Sequence, residues 1–192
     1  MKHSEPKALI LIGASTGGPG QIQKIVQTLP EDFAATIVIA QHIGDEYIPS
    51  FVNQLQRRSA LKVLAVEDKL AVLSAHIYVC SHMTQLVVNT NQLEFSQAKE
   101  EKARYNPDID HLFVSAAQLT ITYRVAGIIL TGVGDDGARG CKALSDSGGV
   151  CIAESEASAV VYGMPLQAKL QSKNISVSSL DEIIQNIRTI GG

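Results

Sequence analysis

Residues 8 to 12 read Ala-Leu-Ile-Leu-Ile without a polar break, and residues 36 to 40 read Thr-Ile-Val-Ile-Ala. Runs of this kind predict strands covered on both faces, as in a parallel sheet. Between them Ile22, Ile25, Val26 and Leu29 recur at helical spacing, so strand, helix and strand form a first parallel unit. The unit repeats. A helix from about 47 to 58 leads to the strand-like "KVLAVE", and "DHLFVSAAQLT" leads into an apolar strand at 125 to 131. A helix near 138 to 147 and a strand at 150 to 154 follow. Leu180, Ile183, Ile184, Ile187 and Ile190 then make one apolar stripe on a closing helix.

The middle of the chain breaks this rhythm. "HIYVC", "TQLVV" and "QLEFSQ" are short strand-like runs, and Asn89-Thr90-Asn91 supplies a hairpin turn between the last two. The expected fold is therefore α/β: a doubly wound, mostly parallel sheet with helices on both faces and an antiparallel β-hairpin excursion within it.

Composition narrows the field. With 192 residues, 45% of them apolar, the chain is long enough for one domain with a substantial core. The net charge is -3 and the 16 Lys and Arg are scattered, so there is no basic footprint for nucleic acid. Three cysteines (Cys80, Cys141, Cys151) form no C-x-x-C pair and fit free thiols in a reducing compartment, the cytoplasm. The apolar stretch near the start is too short for a signal peptide or a membrane span, so no membrane insertion is expected.

In open parallel sheets ligands bind beyond the carboxyl ends of the strands. Three loops there carry polar groups. The first holds Gly13-Ala14-Ser15-Thr16-Gly17, a G-x-S-x-G between strand and helix, as in a nucleophile elbow. A phosphate loop would need Gly-Lys-Ser/Thr at its end, where Gly18-Pro19-Gly20 stands instead. Ser and Gly also occupy such turns for capping alone. The second loop presents His42, a base or a rim residue. The other histidines, His3, His76, His82 and His111, show no metal-ligand spacing. The third loop, "LTGVGDDGARG", fits G-x-G-x-x-G at Gly132, Gly134 and Gly137, with Glu154 at the next strand end, as a dinucleotide fingerprint requires. Against that reading, Asp135 and Asp136 lie where a pyrophosphate must approach. The alternative puts one aspartate to work orienting His42, so that the imidazole can activate Ser15.

With these motifs assembled, the chain resembles the catalytic domain of the chemotaxis protein-glutamate methylesterases. The resemblance runs from about Ala8 to Ile190 on "IGASTGG", "QHI", "PDIDHLF", "ILTGVGDDGARG" and "ESEASAVVYGMP". It implies a serine hydrolase that removes methyl groups from glutamate methyl esters on the cytoplasmic region of bacterial chemoreceptors, often also deamidating glutamines, with no metal or organic cofactor. Carried over by motif, Ser15 is the nucleophile, His42 the base and then the acid, and Asp136 the residue orienting His42. Thr16 and the backbone amide of Val133 are implied at the oxyanion.

Several positions depart from the family pattern. Val133 stands where methionine is common, and Asp135 where Asn is frequent, with a carboxylate expected to face solvent. The hairpin lacks a Pro-Gly turn, and "KARYNPDID" keeps only part of a basic stretch. No segment corresponds to the family's N-terminal receiver domain, so residues 1 to 192 read as a single methylesterase-like catalytic domain. Two rival readings remain: a dinucleotide-binding module using the Gly132 to Gly137 loop, and a non-enzymatic adaptor of the same fold.

Overall fold

A computed structural model describes residues 5–98 and 104–192. Its strands are β1 (Ala8–Ala14), β2 (Thr36–Gln41), β3 (Lys62–Ala65), β4 (His76–Val79), β5 (Met83–Asn89), β6 (Gln92–Ala98), β7 (Arg124–Ile129), β8 (Val150–Glu154) and β9 (Ile175–Ser178). The helices are α1 (Gly18–Val26), α2 (Ile48–Gln56), α3 (Ile109–Ala117), α4 (Ala138–Asp146), α5 (Met164–Gln171) and α6 (Leu180–Gly191). Seven strands form one parallel sheet in the order β3-β4-β2-β1-β7-β8-β9, and β5 and β6 form a separate antiparallel pair.

The apolar run of β1 serves both faces of this sheet because successive side chains point to opposite sides. Ile10 and Ile12 pack with Ile22 and Ile25 of α1, Phe51 and Leu55 of α2, and Ile183 and Ile187 of α6. Leu9 and Leu11 face the other layer, with Leu112 and Phe113 of α3, Leu144 of α4 and Ala168 of α5. Full burial of each such Leu or Ile contributes roughly 1.5 to 3 kcal/mol. Two cores thus clamp one central sheet, which holds the carboxyl ends of β1, β2 and β7 in fixed register.

Two expectations need correction. "HIYVC" does not belong to the antiparallel excursion: β4 pairs in parallel with both β2 and β3 inside the main sheet. A short apolar run discloses that it is buried, not which strand it joins. The hairpin is likewise not inserted in the main sheet. It lies over α3, with Leu86 N donating to Ser115 Oγ at 3.0 Å and Phe95 N to Leu70 O at 2.9 Å. Its turn is the expected one, with Thr90 at φ 49° and Asn91 at φ 66°, the left-handed pair that a two-residue hairpin loop requires. Strand β9 and helix α5 add to the elements that the sequence pattern predicts. No helix among the described residues is long and apolar enough to cross a membrane.

Candidate active site

The chain reverses direction around β1: β2 lies on one side and β7 on the other, so the loops leaving these three strands meet at one end of the sheet. Ser15 immediately follows β1, half-buried, and its amide donates to Thr131 O at 2.9 Å across to the loop after β7. The left-handed residue that turns strand into helix is Gly17, at φ 86°. A side chain there would also meet Val160, 2.7 Å from its Cβ position. On the β2 side, the buried amide of Gln41 donates to Ser15 O and His42 O, both at 3.0 Å, while His42 N donates to Ala14 O at 2.9 Å. The serine loop and the histidine loop are therefore stitched together by backbone and by Gln41.

His42 Nε2 lies 2.7 Å from Asp136 Oδ2, a contact between residues 94 apart in sequence. Asp136 is buried, and its remaining capacity is filled by α3: Ile109 N donates to Oδ2 and Asp110 N to Oδ1, both at 2.9 Å. A carboxylate at a helix N-terminus meets unpaired amides and the positive end of the helix dipole, so its orientation is fixed by three donors. The "PDIDHLF" motif thereby gains a physical account, since Asp108 caps α3 through His111 N at 2.7 Å and the next two amides grip Asp136. The neighbouring Asp110 accepts from Gly140 N at 2.6 Å. Burial holds its carboxyl above the usual range, and the negative charge of Asp136 adds to that.

The Ser15 hydroxyl makes no hydrogen bond to a described residue. Its surroundings are nonetheless close. A Cβ at Gly132 would lie 2.8 Å from Ser15 Cβ. The amides of Thr16 and Val133 donate to no described residue. Thr16 is exposed, and Val133, like Val160, stands as an exposed apolar side chain at the rim.

What fixes the "TGVG" backbone is the segment that the sequence marks as "ESEASAVVYGMP". Gly132 N donates to Val161 O at 3.0 Å, while Gly163 N and Met164 N donate to Gly132 O at 3.1 and 2.9 Å. Glu154 completes the joint. Fully buried, it accepts from Thr131 N at 2.8 Å, from Gln21 Nε2 of α1 at 2.6 Å and from Ser158 Oγ at 2.9 Å. Burial holds this carboxyl above its usual range, with the three hydrogen bonds pulling the other way. Glu154 therefore cannot serve as the ribose acid of a dinucleotide fingerprint, and Asp136 fills that loop with a buried carboxylate aimed at α3. The three loop glycines serve other ends. Gly137, at φ 88°, starts α4, and Gly134, at φ 102°, lies beneath Tyr105.

Sequence reasoning passed over Tyr105. Its ring stacks on the His42 imidazole with centroids 5.0 Å apart and planes 3° from parallel, and its hydroxyl donates to Asp135 Oδ1 at 3.0 Å. Asp135 also faces Arg104 Nη1 at 3.4 Å, so it is half-exposed but engaged, not simply turned to solvent. Desolvation and the bond to Asp135 keep the phenol above its usual titration range, so it remains a donor. Gln41 carries no signal of its own in the sequence, and Glu154 enters there only as the acid of the rival dinucleotide reading. The other described histidines are elsewhere: His76 is buried with Nδ1 2.8 Å from Ser74 O, His82 pairs with Asp45 at 3.2 Å, and His111 lies on α3.

The chain is similar to known proteins in sequence and in fold. A family model described as CheB methylesterase matches residues 10–187. A protein-glutamate methylesterase/protein-glutamine glutaminase of Bordetella bronchiseptica is 37% identical over 180 residues, which cover 92% of this chain and 49% of the relative. The protein-glutamate methylesterase FrzG of Myxococcus xanthus is 34% identical over 182 residues, covering 95% of this chain and 54% of that protein. The chain spans about half the length of the curated relatives it matches. The crystal structure of the Thermotoga maritima CheB methylesterase catalytic domain superposes with a TM-score of 0.86 at 28% identity, covering 97% of this chain and 99% of that one. Sheet order, site geometry and these matches lead to one conclusion: the chain belongs to the CheB methylesterase family.

Proposed function

We propose that this chain hydrolyses glutamate methyl esters on the cytoplasmic region of chemoreceptors, with Ser15 as nucleophile, His42 as base and Asp136 as the group that orients His42. The observation that carries the reading is the 2.7 Å contact between His42 Nε2 and a buried Asp136, set beside a serine on the adjacent strand end. With Nε2 committed to Asp136, Nδ1 is the nitrogen that takes the Ser15 proton as Oγ attacks the ester carbonyl. The amides of Thr16 and Val133 receive the developing oxyanion, the role for which unpaired donors beside a nucleophile are suited. The imidazolium then protonates the departing methoxide, methanol leaves, and water repeats the sequence on the acyl-enzyme. No step needs a metal or organic cofactor.

The names of the relatives support the choice of substrate, and those that are also glutaminases support deamidation by the same route, with ammonia leaving in place of methanol. Free buried cysteines fit a cytoplasmic setting. The test is methanol release from methylated chemoreceptor membranes by this chain and by Ser15→Ala. Loss of the nucleophile of a triad costs on the order of 10⁶ in turnover. A folded Ser15→Ala protein with wild-type release overturns the reading, and a wild-type chain that hydrolyses no ester at all leaves the adaptor.

A further inference from the structure

Asp136 holds the His42 imidazole by one edge, and a single hydrogen bond leaves the ring free to rotate about that line. A second contact is needed to set the plane. Tyr105 provides it, lying parallel to the imidazole within 3° at a centroid distance of 5.0 Å. The phenol is itself anchored. Its hydroxyl donates to Asp135 Oδ1 at 3.0 Å, and the Arg104 guanidinium sits 5.0 Å from its ring centroid and 3.4 Å from the same Asp135 oxygen. Below it, Gly134 leaves the room the ring occupies, since a Cβ there would come within 2.9 Å of the Tyr105 hydroxyl. The next residue, Asn106, donates to Asp45 Oδ1 at 3.3 Å in the loop that carries His42. Residues 104 to 106 thus bridge the loops after β2 and β7, with an aromatic face on the imidazole between them.

We propose that Tyr105 is a positioning residue for the hydrolysis: its ring sets the plane of His42 and supports the imidazolium formed when Ser15 gives up its proton, and Asp135 holds the phenol in place. This rests on the assignment of Ser15, His42 and Asp136 made above. An aromatic face attracts a cation more than it attracts the neutral ring. The contribution therefore appears when the charge forms, in kcat, and hardly in substrate binding. It also gives Asp135 a task exercised through another side chain, distinct from that of Asp136.

The test compares Tyr105→Phe, Tyr105→Leu and Ser15→Ala in hydrolysis of an activated ester, with kcat and KM measured separately. Tyr105→Phe keeps the ring and should stay within about threefold of wild type, whereas Tyr105→Leu should lower kcat about tenfold or more with KM little changed. In histidine-labelled protein, NMR should show the His42 ring protons shifted upfield by the Tyr105 ring, a shift retained with Phe and lost with Leu. Wild-type kcat in Tyr105→Leu, or an equal loss in Phe and Leu, overturns the proposal while Ser15→Ala remains inactive. Full activity in Ser15→Ala instead overturns the underlying assignment. If Tyr105→Leu does not fold, Tyr105→Gln decides: it removes the aromatic face but keeps a polar end of similar reach, and kcat should fall about tenfold with KM little changed. Unchanged kcat in a folded Tyr105→Gln protein then counts against the proposal.

Discussion

Replacing Asp136 by Asn changes one atom, and the structure dictates what that atom meets. Every group facing the Asp136 carboxylate is a donor: His42 Nε2 and Ile109 N at Oδ2, Asp110 N at Oδ1. An amide can offer an oxygen to only one side. If its oxygen takes the Oδ2 position, its NH2 confronts Asp110 N–H. If it is reversed, the NH2 confronts Ile109 N–H and forces His42 Nε2 to become an acceptor, which places the proton on the nitrogen that should receive the Ser15 proton. Either way a buried donor loses its acceptor, at a cost of about 1 to 3 kcal/mol in stability. In a chain of this size that lowers Tm by roughly 2 to 12 °C. Turnover should fall by roughly 10³ to 10⁴, about 4 to 5.5 kcal/mol in activation free energy, because both the tautomer and the imidazolium lose their partner. Asp135→Asn keeps an oxygen for Tyr105 and loses only an ion pair to Arg104, whose side chain is 74% exposed, a contact worth little. It should change turnover by less than about tenfold. Ester hydrolysis and thermal unfolding of the two variants side by side decide the matter. Equal losses, or a larger loss for Asp135→Asn, would refute the assignment.

Turnover should fall by about a hundredfold or more in His42→Gln, which removes the proposed base, and stay near wild type in His76→Gln, whose ring is buried at the start of β4. If a folded His76→Gln protein shows the larger loss, the base is misplaced. Gly132→Ala should lower kcat by about tenfold to a hundredfold, since its methyl group would lie 2.8 Å from Ser15 Cβ and press on Met164 Sδ. Wild-type kcat in that variant would show that the Ser15 turn has slack that the structure does not indicate. Glu154 links stability to pH. Its folded titration lies above the ordinary 4.5, so the stability carried by its protonated form is present below 4.5 and lost as pH rises through the raised value. Glu154→Gln cannot ionise, and the difference in unfolding free energy between the two proteins should shift against wild type across that window in denaturant titrations. A difference independent of pH contradicts the assignment.

Where burial is continuous, the sequence was transparent: the runs of β1, β2, β7 and β8 have no polar alternative, and the stripe of α6 fits one helix face. Elements with a weak signature escaped. Only Met164, Pro165 and Ala168 of α5 are buried, and β9 is a sheet-edge strand with Ser176 and Val177 exposed, so neither carries a clear period. Parentage of β4 was invisible because strand partners are chosen by topology. In the candidate site, Ser15, His42 and Asp136 lie in the motifs that carry the family resemblance. Tyr105, Gln41 and Glu154 act through geometry that exists only after folding, a ring laid on a ring or a carboxylate closing three elements together. Glu154 even mimicked a cofactor ligand, since a strand-end acid looks the same in sequence whether it faces solvent or is sealed inside.

The central place of β1 also sets a timetable. In this sequence β1 comes more than a hundred residues before β7, so one of its two edges has no native neighbour until β7 has been made. An unpaired strand edge is a template for other chains, and pairings so distant along the sequence form slowly. During synthesis the nascent protein therefore carries its most apolar strand half-paired, with Ser15 at its tip. His42 follows soon after Ser15, but Asp136 is made 94 residues after His42, and Glu154 and the loop that docks on Gly132 come later still. The candidate site is thus assembled from segments made far apart in time, and a product terminated before Asp136 contains Ser15 and His42 without the carboxylate that holds the imidazole.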